Sequence, residues 1–262
     1  APFVIPGQPA GLNPESRGYG ARFRVRDCTA PRNDGKSEAM ASDQTRTAIL
    51  AAAERLYADR GFGDVTLRDI VAEANVNLAA VNYHFGSKDE LIAELFVTRS
   101  IQLNRERLRL LQAAEEAGGG RASVDAVLRA LVGPTLRGCL GPENQRSTAA
   151  RFMIRVSIES VPPIRRIRNR EIDHLRKFIA AMRRSLPGHS DVELYWGLHF
   201  ALAMAQQTVR DSERLTKLSE GLCDVDDVEG IIARVVSVAA LALTVGDTTS
   251  KAPARALARD AR

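Results

Sequence analysis

Residues 76–88 read VNLAAVNYHFGSK. The stretch places three aromatic rings in a row, at positions 83–85. Val81 and Phe85 lie four residues apart, a spacing that puts both side chains on one face of a helix. We therefore predict a short helix over residues 78–84, with Val81 and Phe85 facing the protein and the other side chains facing outward.

The residues before this stretch predict another helix, separated from the first by a break of three residues. Thr66 can begin it, because a hydroxyl at that position accepts a hydrogen bond from a free backbone N–H group. Its buried stripe is predicted at helical spacing: Leu67, Ile70, Val71 and Ala74. Across the break, Asn77 can cap the helix over 78–84. Two helices separated by so short a break form a helix-turn-helix. Another helix is predicted before them, beginning at Thr45 and ending at Gly61.

The rest of the chain also predicts helices. Ser87 and Glu90 have the spacing of a capping box, for a helix that runs to about Glu116. Further helical patterns are separated by Gly, Pro or acidic residues and cover 123–138, 149–160, 163–185, 190–211 and 226–244. Alternation of the kind found in strands does not occur. We predict an all-α fold, with a three-helix helix-turn-helix domain followed by a larger helical domain.

This organisation predicts two ordered domains between two disordered ends. Residues 1–42 contain five of the eleven prolines and show no helical period, which is typical of disorder. Residues 43–90 would form the helix-turn-helix domain, residues 91–246 the larger domain, and residues 247–262 a disordered polar tail. Met40 precedes the first helical pattern, so a start codon there is a hypothesis that would make the residues before it an upstream extension.

Composition limits the classes of protein that need to be considered. The 262 residues carry a formal net charge of +5, but residues 43–100 hold six Lys or Arg against nine Asp or Glu. Nucleic-acid binding therefore has to be argued from local geometry rather than from a basic surface. Cys28, Cys139 and Cys223 are far apart and odd in number, which favours reduced thiols in a cytoplasmic protein. The longest apolar run, residues 231–245, is too short to span a membrane.

Enzyme motifs are missing from the sequence. Glu171 and His174 form a single Glu-x-x-His pair, whereas a di-iron bundle needs two such pairs and further carboxylates. The chain has no HExxH, GxSxG, Walker or GxGxxG motif. We predict a protein that is not an enzyme and that needs neither a cofactor nor a metal ion.

The outward face of the helix over 78–84 is suited to the major groove of DNA. Its alanine methyl groups can contact thymine methyl groups, and Asn82 can pair with the N6 and N7 atoms of adenine. Thr66 and Asn77 stand where helix N-terminal N–H groups could meet phosphates, a contact that needs no formal positive charge. The candidate DNA-binding residues are Thr66, Asn77, Leu78, Ala79, Ala80, Asn82, Tyr83, His84 and Lys88.

Residues 45–99 resemble the TetR family of transcriptional repressors, and YHFGSKDEL at 83–91, placed after a helix-turn-helix, carries the resemblance. The resemblance implies that Tyr83 and His84 contact the DNA backbone and that Lys88 lies near a phosphate. It also implies that Phe85 anchors the recognition helix. It implies base contacts among Leu78, Ala79, Ala80 and Asn82, and phosphate contacts from Thr66 and Asn77. The resemblance therefore implies the same DNA-binding surface that we predict from the helical pattern and the side-chain chemistry.

The sequence departs from the family pattern at two places. The turn usually contains glycine, and Asn75 takes that place here. Asparagine is the next most favourable residue in a left-handed conformation, so we expect the turn to form. Asn82 replaces a commoner tyrosine, which is expected to alter base preference. The alternative interpretation is a small helical bundle with no role in DNA binding, because helix-turn-helix geometry also occurs elsewhere.

The helix over 190–211 contains LYWGLHFALAMA at 194–205 and is apolar nearly all round, so both of its faces need cover. Its own domain can cover one face and a second copy of the chain the other. The helix over 226–244 offers small side chains for close packing: Ile231, Val235, Val238, Ala239 and Ala242. We predict a homodimer through a four-helix bundle of these two helices, which matches the family resemblance and the two-fold symmetry of a palindromic DNA operator.

The resemblance also implies a small-molecule effector held by the C-terminal helices. The candidate lining residues are Phe152, Met153, Val156, Leu175, Phe178, Met182, Tyr195, Trp196, His199 and Phe200. Such a stripe equally fits a plain hydrophobic core. Residues 123–210 weakly resemble regulators that sense fatty acids or other apolar acids. We predict a repressor that a small apolar or apolar-acid effector releases from its operator.

The predicted helix over 163–185 leaves another function open. Residues 162–186 hold eight Lys or Arg against two Asp or Glu. A solvated face is the simpler interpretation. The alternatives are an anion site or a helical adaptor that binds a protein or acidic partner through this basic helix.

Overall fold

The computed structural model describes residues 35–142, 146–159 and 161–246. Within these ranges the regular structure is entirely helical, which confirms the predicted all-α class. The helices are α1 (Gly35–Arg60), α2 (Leu67–Glu73), α3 (Leu78–Phe85), α4 (Lys88–Ala117), α5 (Val124–Cys139), α6 (Thr148–Ile158), α7 (Pro162–Arg170), α8 (Asp173–Ser185), α9 (Asp191–Arg210), α10 (Ser212–Leu218) and α11 (Val228–Gly246). None of these helices is both long and apolar enough to cross a membrane.

Helix α1 begins earlier than predicted. It starts at Gly35, so the expectation of disorder through residue 42 is wrong for residues 35–42. The sequence EAMA at 38–41 consists of good helix formers, which extend the helix toward its N terminus. Residues 1–34 and 247–262, for which we predict disorder, lie outside the described residues.

The predicted single helix over 163–185 is two helices, α7 and α8, so this prediction is wrong. The two helices are separated at Glu171, whose ψ of 66° lies outside the helical range. Ile164 of α7 packs into the core beneath α1 to α3, whereas Phe178 and Met182 of α8 pack into a different core. A straight helix cannot turn its apolar side chains toward both cores, so the chain bends where no Gly or Pro marks the position. Helix α10 is an addition to the predicted set.

The described residues from Asp43 to Gly246 belong to one compact unit with two hydrophobic cores. The first core lies beneath α1, α2 and α3, which together we call the head. The second lies among α5, α8, α9 and α11. Helix α4 runs through both, with Leu95 in the first core and Leu111 in the second. Phe152 of α6 also belongs to the first core, so the domain boundary predicted at residue 90 does not separate the cores.

The cysteines match the prediction of free thiols where the structure describes them. Cys139 and Cys223 are free, and Cys28 lies outside the described residues. Burial raises the pKa of the Cys139 thiol to about 12, so it stays protonated and unreactive at neutral pH. Over the described ranges, His, Cys, Asp and Glu side chains form no group of three or more that could hold a metal ion.

The turn between α2 and α3 adopts the expected backbone form. Asn75 has a φ of 53°, in the left-handed region, which confirms that asparagine can replace the glycine of the family pattern. The Asn75 N–H donates to the Ala72 carbonyl at 3.2 Å, and the Val76 N–H donates to the Val71 carbonyl at 3.0 Å. These two bonds satisfy the last carbonyl groups of α2 in a Schellman motif. The turn therefore fixes the direction in which α3 leaves α2.

Substitutions of Asn75 test this turn. We expect Asn75→Gly to raise the free energy of unfolding by about 0.5 kcal/mol, because glycine adopts a positive φ without steric cost. Asn75→Ala should lower it by about 1 kcal/mol, since its Cβ atom crowds the following carbonyl. Urea unfolding measures both, with the exposed Asn82→Ala as a control expected within about 0.5 kcal/mol of the wild type. Equal stability of the Gly and Ala variants would contradict the left-handed turn.

Candidate nucleic-acid interface and ligand cavity

Helix α3 is fixed by its first turn and by its inner face. The Asn77 side-chain oxygen accepts a hydrogen bond from the Ala80 N–H at 2.9 Å, which confirms Asn77 as the cap. Val81 and Phe85 are buried in the first core, as the four-residue spacing predicts. The first turn of α3 has no acidic residue, so the free N–H groups there keep their positive potential.

The opposite face of α3 is open to solvent. Tyr83 is 81% exposed and Leu78 is 44% exposed. Ala79 and Asn82 are exposed as well, and Ala80 is partly buried. This face offers methyl groups, an amide and a phenol, which are groups that can contact base edges and phosphates.

His84 lies at the edge of this face and is partly buried. The centre of its ring is 5.0 Å from that of Tyr83, in an edge-to-face contact. Burial, and then repulsion from Arg46, lowers the pKa of His84 below its usual range, although Asp43 opposes the shift. The imidazole is therefore neutral at neutral pH, and one of its ring nitrogens can donate a hydrogen bond.

The Thr66 hydroxyl forms its hydrogen bonds within the head, at the N terminus of α2. The Thr66 Oγ1 accepts from the Asp69 N–H at 3.2 Å and donates to the Asp69 carboxylate at 2.5 Å. The Thr66 N–H donates to the same carboxylate at 2.8 Å. These hydrogen bonds hold the pKa of Asp69 below its usual range. A carboxylate thus occupies the N terminus of α2, where the sequence predicts a phosphate contact from Thr66.

Lys88 also turns toward the protein. Its ammonium donates to the Phe62 carbonyl at 3.3 Å and to the Val65 carbonyl. It lies 5.9 Å from the centre of the Tyr57 ring. Two of its three N–H groups are thus used on the loop between α1 and α2. In the structure Lys88 braces that loop, whereas the sequence predicts a phosphate contact.

The Lys88→Met variant separates these two roles. We expect its free energy of unfolding to fall by about 1.5–3 kcal/mol, because two carbonyl groups lose a charged donor. The salt dependence of its DNA binding should match that of the wild type. Titrations at several salt concentrations measure this slope, and a decrease of about one in its magnitude would instead identify a phosphate contact.

A cavity of about 170 Å³ lies beside the head, between α4, α5, α6, α7, α8 and α9. Its apolar lining residues are Phe96, Leu103, Met153, Ile154, Val156, Leu175, Leu202 and Ala205. Its polar lining residues are Ser100, Asn104, Arg107, Thr135, Ser157, Arg168, Glu171, His174 and Gln206. Polar residues are about as numerous as apolar ones, but most of the surface that the wall exposes to the cavity is apolar. An apolar surface with polar groups placed within it is typical of a small-molecule site.

The predicted effector residues divide among three environments. Those that line the cavity are Met153, Val156 and Leu175. Those buried in the two cores are Phe152, Phe178 and Met182. Those exposed on α9, away from the cavity, are Tyr195, Trp196, His199 and Phe200. The pocket prediction is therefore wrong for the residues of α9, because that helix turns one face to the cavity and another to solvent.

Sequence reasoning missed the polar side of the cavity. Arg107 is only 9% exposed, and its Nη2 donates to the Thr135 hydroxyl at 3.0 Å. In the described part of the chain, neither the Arg107 Nε nor the Ser100 hydroxyl has a hydrogen-bond partner. The sequence does contain a signal for Arg107, because it lies four residues from both Leu103 and Leu111, within the apolar stripe of α4.

Helix α6 and the residue that caps its C terminus hold the head through three side chains that we call the clasp: Phe152 and Arg155 in the helix, and Glu159 directly after it. The Phe152 ring lies 5.7 Å from the Phe62 ring, centre to centre. The Glu159 carboxylate accepts a hydrogen bond from the Phe62 N–H at 2.8 Å. The Arg155 guanidinium donates to two carbonyl groups at the end of α1, at 3.3 and 3.5 Å. Other side chains of α6 line the cavity, so this helix connects the cavity to the head.

Helices α9 and α11 present an exposed apolar face. Its members are Val192, Tyr195, Trp196 and Phe200 on α9, and Val238 and Leu241 on α11. Gly197 lets the two helices approach closely, because a Cβ atom there would clash with Leu243. Val235 and Ala239, for which the sequence predicts contacts with a partner, are buried within the chain. The prediction is therefore wrong for these two residues, whereas Val238 and Ala242 of the predicted set are exposed.

Two family models match the chain. A model described as bacterial regulatory proteins of the tetR family matches residues 49–95, on the head and the start of α4. A model described as the C-terminal domain of tetracyclin repressor-like proteins matches residues 129–241, from α5 into α11. The two models occur in the order that the fold requires, and together they cover more than half of the chain.

The sequence relatives match this chain over part of its length. The chain is 35% identical over 77 residues to an HTH-type transcriptional repressor of Mycobacterium tuberculosis, over 29% of this chain and 41% of that protein. It is 41% identical over 54 residues to the HTH-type transcriptional regulator TtgR of Pseudomonas putida, over 21% of this chain and 26% of that protein. These matches thus span less than half the length of each relative.

A solved structure shares the fold over most of the chain. The crystal structure of a TetR family transcription regulator from Marinobacter aquaeolei has a TM-score of 0.55 at 16% identity, over 76% of this chain and 97% of that one. The helix-turn-helix, the sequence at 83–91, the two family models and this shared fold all agree. The protein belongs to the TetR family of bacterial regulatory proteins, whose members are not enzymes.

Proposed function

We propose that this protein is a cytoplasmic, sequence-specific DNA-binding transcriptional regulator, a repressor that a small apolar or apolar-acid effector releases from a palindromic operator. The observation that carries the proposal is the outward face of α3, where Asn82 and Tyr83 lie exposed beside small side chains. The helix is seated on the first core and begins at a capped, uncrowded N terminus. Relatives that match part of the chain are named as an HTH-type transcriptional repressor and an HTH-type transcriptional regulator.

In this proposal α3 enters the major groove. The Ala79 methyl group contacts thymine, and the Asn82 amide pairs with adenine, which contributes about 1–3 kcal/mol of discrimination against other bases. Asn77, Tyr83 and His84 contact phosphates at the edges of the groove. All three are neutral donors, which suits a head with more acidic than basic residues.

We infer that the chain forms a homodimer through the exposed face of α9 and α11. An aromatic and aliphatic face of this kind marks an interaction site. A second copy covers it in a self-complementary way, with two-fold symmetry. The two heads then contact half-sites that lie about 34–36 Å apart, or a multiple of that distance.

The position of the cavity supports a mechanism of release. Phe96 of α4 lines the cavity and also belongs to the first core. Helix α6 lines the cavity and carries the clasp. An effector that prefers a different arrangement of α4 and α6 shifts the population of head positions away from the one that fits DNA. Coupling of this kind typically changes affinity by about 5- to 150-fold.

The adaptor alternative has less support from the structure. The basic residues of the predicted helix over 163–185 are divided between α7 and α8, so they do not form one continuous helical face. Several on α8 have acidic neighbours, in the ion pairs Arg176–Asp173, Arg183–Asp191 and Arg184–Glu115. A solvated basic surface therefore fits these residues better than a docking helix.

Selection of genomic DNA fragments by the purified protein tests the proposed function. At about 150 mM salt, where nonspecific binding is weak, we expect the wild type to recover a palindromic fragment. Tyr83→Ala should lose it, and Asn82→Ala should change the preferred base at one position of each half-site. Leu218→Ala, on the exposed side of α10, is the matched control and should behave as the wild type. Recovery of random DNA by all four proteins would contradict DNA recognition by α3.

Sedimentation of the Phe200→Glu variant tests the homodimer. We expect the wild type to be a dimer at micromolar concentration and the variant to be a monomer with at least about a hundredfold weaker operator binding, because the two heads no longer act together. Trp196 is the sole tryptophan and is 56% exposed in one chain, so its fluorescence should shift to the red in the variant. Leu218→Glu should remain dimeric. A monomeric wild type would overturn the proposed interface.

A further inference from the structure

We propose that the cavity binds a small monocarboxylic acid with an apolar body, and that Arg107 holds its carboxylate. This inference rests on the proposed function, which makes the cavity the effector site, and it adds the chemical class of the ligand. It depends on the charge of the buried wall, on the hydrogen-bond donors beside it, and on the size of the cavity.

Arg107 brings a positive charge into the cavity wall and has no counter-ion among the residues that the structure describes. It is 9% exposed and makes one hydrogen bond, from Nη2 to the neutral hydroxyl of Thr135. Its Nε has no partner among the described residues, and no described carboxylate forms an ion pair with it. Burial lowers the pKa of Arg107 to about 10, so the guanidinium remains charged at neutral pH. A buried charge of this kind is costly until an opposite charge meets it.

The neighbouring polar groups can donate hydrogen bonds and add no negative charge inside. The Ser100 hydroxyl is buried without a partner in the described structure and lies two helical turns from Arg107 on α4. Burial, and then repulsion from Arg107, lowers the pKa of His174 to about 4, so its ring is neutral and has one N–H to donate. Glu171 is the acidic residue of the lining, and it is exposed at the rim. The interior therefore favours an anion over a cation.

The size and the apolar wall restrict the rest of the ligand. A cavity of about 170 Å³ is close to the apolar cavity of about 150 Å³ that is known to hold benzene. Phe96, Leu103 and Leu202 supply apolar surface around this space. One aromatic ring, or a chain of about six carbons, therefore fits beside the guanidinium. A guanidinium binds a carboxylate through two parallel N–H donors, which fixes the orientation of such a ligand.

Calorimetric titration of the full-length protein tests the inference with three acids, benzoate, phenylacetate and hexanoate, each paired with its neutral amide. We expect at least one acid to bind at least about tenfold more tightly than its amide, because only the acid supplies the missing counter-ion. In Arg107→Met the preference for the acid should disappear while amide binding stays the same. Arg109→Met, exposed on the same helix, is the matched control and should bind as the wild type.

Thermal unfolding without ligand separates a ligand-binding role from a structural one. We expect Arg107→Met to unfold at the same temperature as the wild type or higher, because the variant removes an uncompensated charge. Equal affinity for acid and amide, acid binding retained by Arg107→Met, or no binding of any of the three acids would each overturn the inference. Operator selection without ligand tests the proposed function separately. If the proposed function is wrong, no DNA fragment is selected. If the ligand inference alone is wrong, the protein still selects its operator.

Discussion

The hydrogen bond from the Phe62 N–H to the Glu159 carboxylate, 2.8 Å long, ties the head to the larger helical domain. Around it the rings of Tyr57, Phe62 and Phe152 pack with their centres 4.8 to 6.5 Å apart. Arg155 donates to the last carbonyl groups of α1, which have no partner within that helix. Helix α6 and its C-terminal cap, Glu159, thus hold one amide, two carbonyl groups and two rings of the head. The helix therefore sets the orientation of the head.

The opposite side of α6 explains why the cavity is connected to this contact. Met153 and Ile154 line the cavity, while Phe152 and Arg155 hold the head from neighbouring positions of the same helix. A rigid helix cannot move on one face and stay fixed on the other, so a ligand that displaces α6 also displaces the head. Arg107 places an unfavourable buried charge in the cavity wall, which the proposed carboxylate would neutralise. The binding energy of such a ligand is therefore available to change the balance between head positions.

The head could be predicted from the sequence because its signals are local. The Asn77 cap and the left-handed Asn75 each depend on residues within a few positions of them. The role of Lys88 could not, because its partners are carbonyl groups more than twenty residues earlier, in a loop that only the fold brings beneath it. The bend in the predicted helix over 163–185 depends on which core each half contacts. The cavity depends on which face of each helix meets a neighbour, so Arg107 was overlooked although it lies in an apolar stripe.

The most direct test of the clasp is operator affinity measured as a function of half-site spacing. The operator recovered by selection is compared with a copy whose half-sites are moved apart by two base pairs. If the clasp fixes the heads, the wild type should bind the altered operator at least about a hundredfold more weakly, because both heads cannot engage. A variant with Arg155→Ala and Glu159→Ala should lose much of this discrimination, while the exposed pair Asp125→Ala and Arg129→Ala should keep it. Equal discrimination by the clasp variant and the wild type would show that α6 does not set the position of the heads.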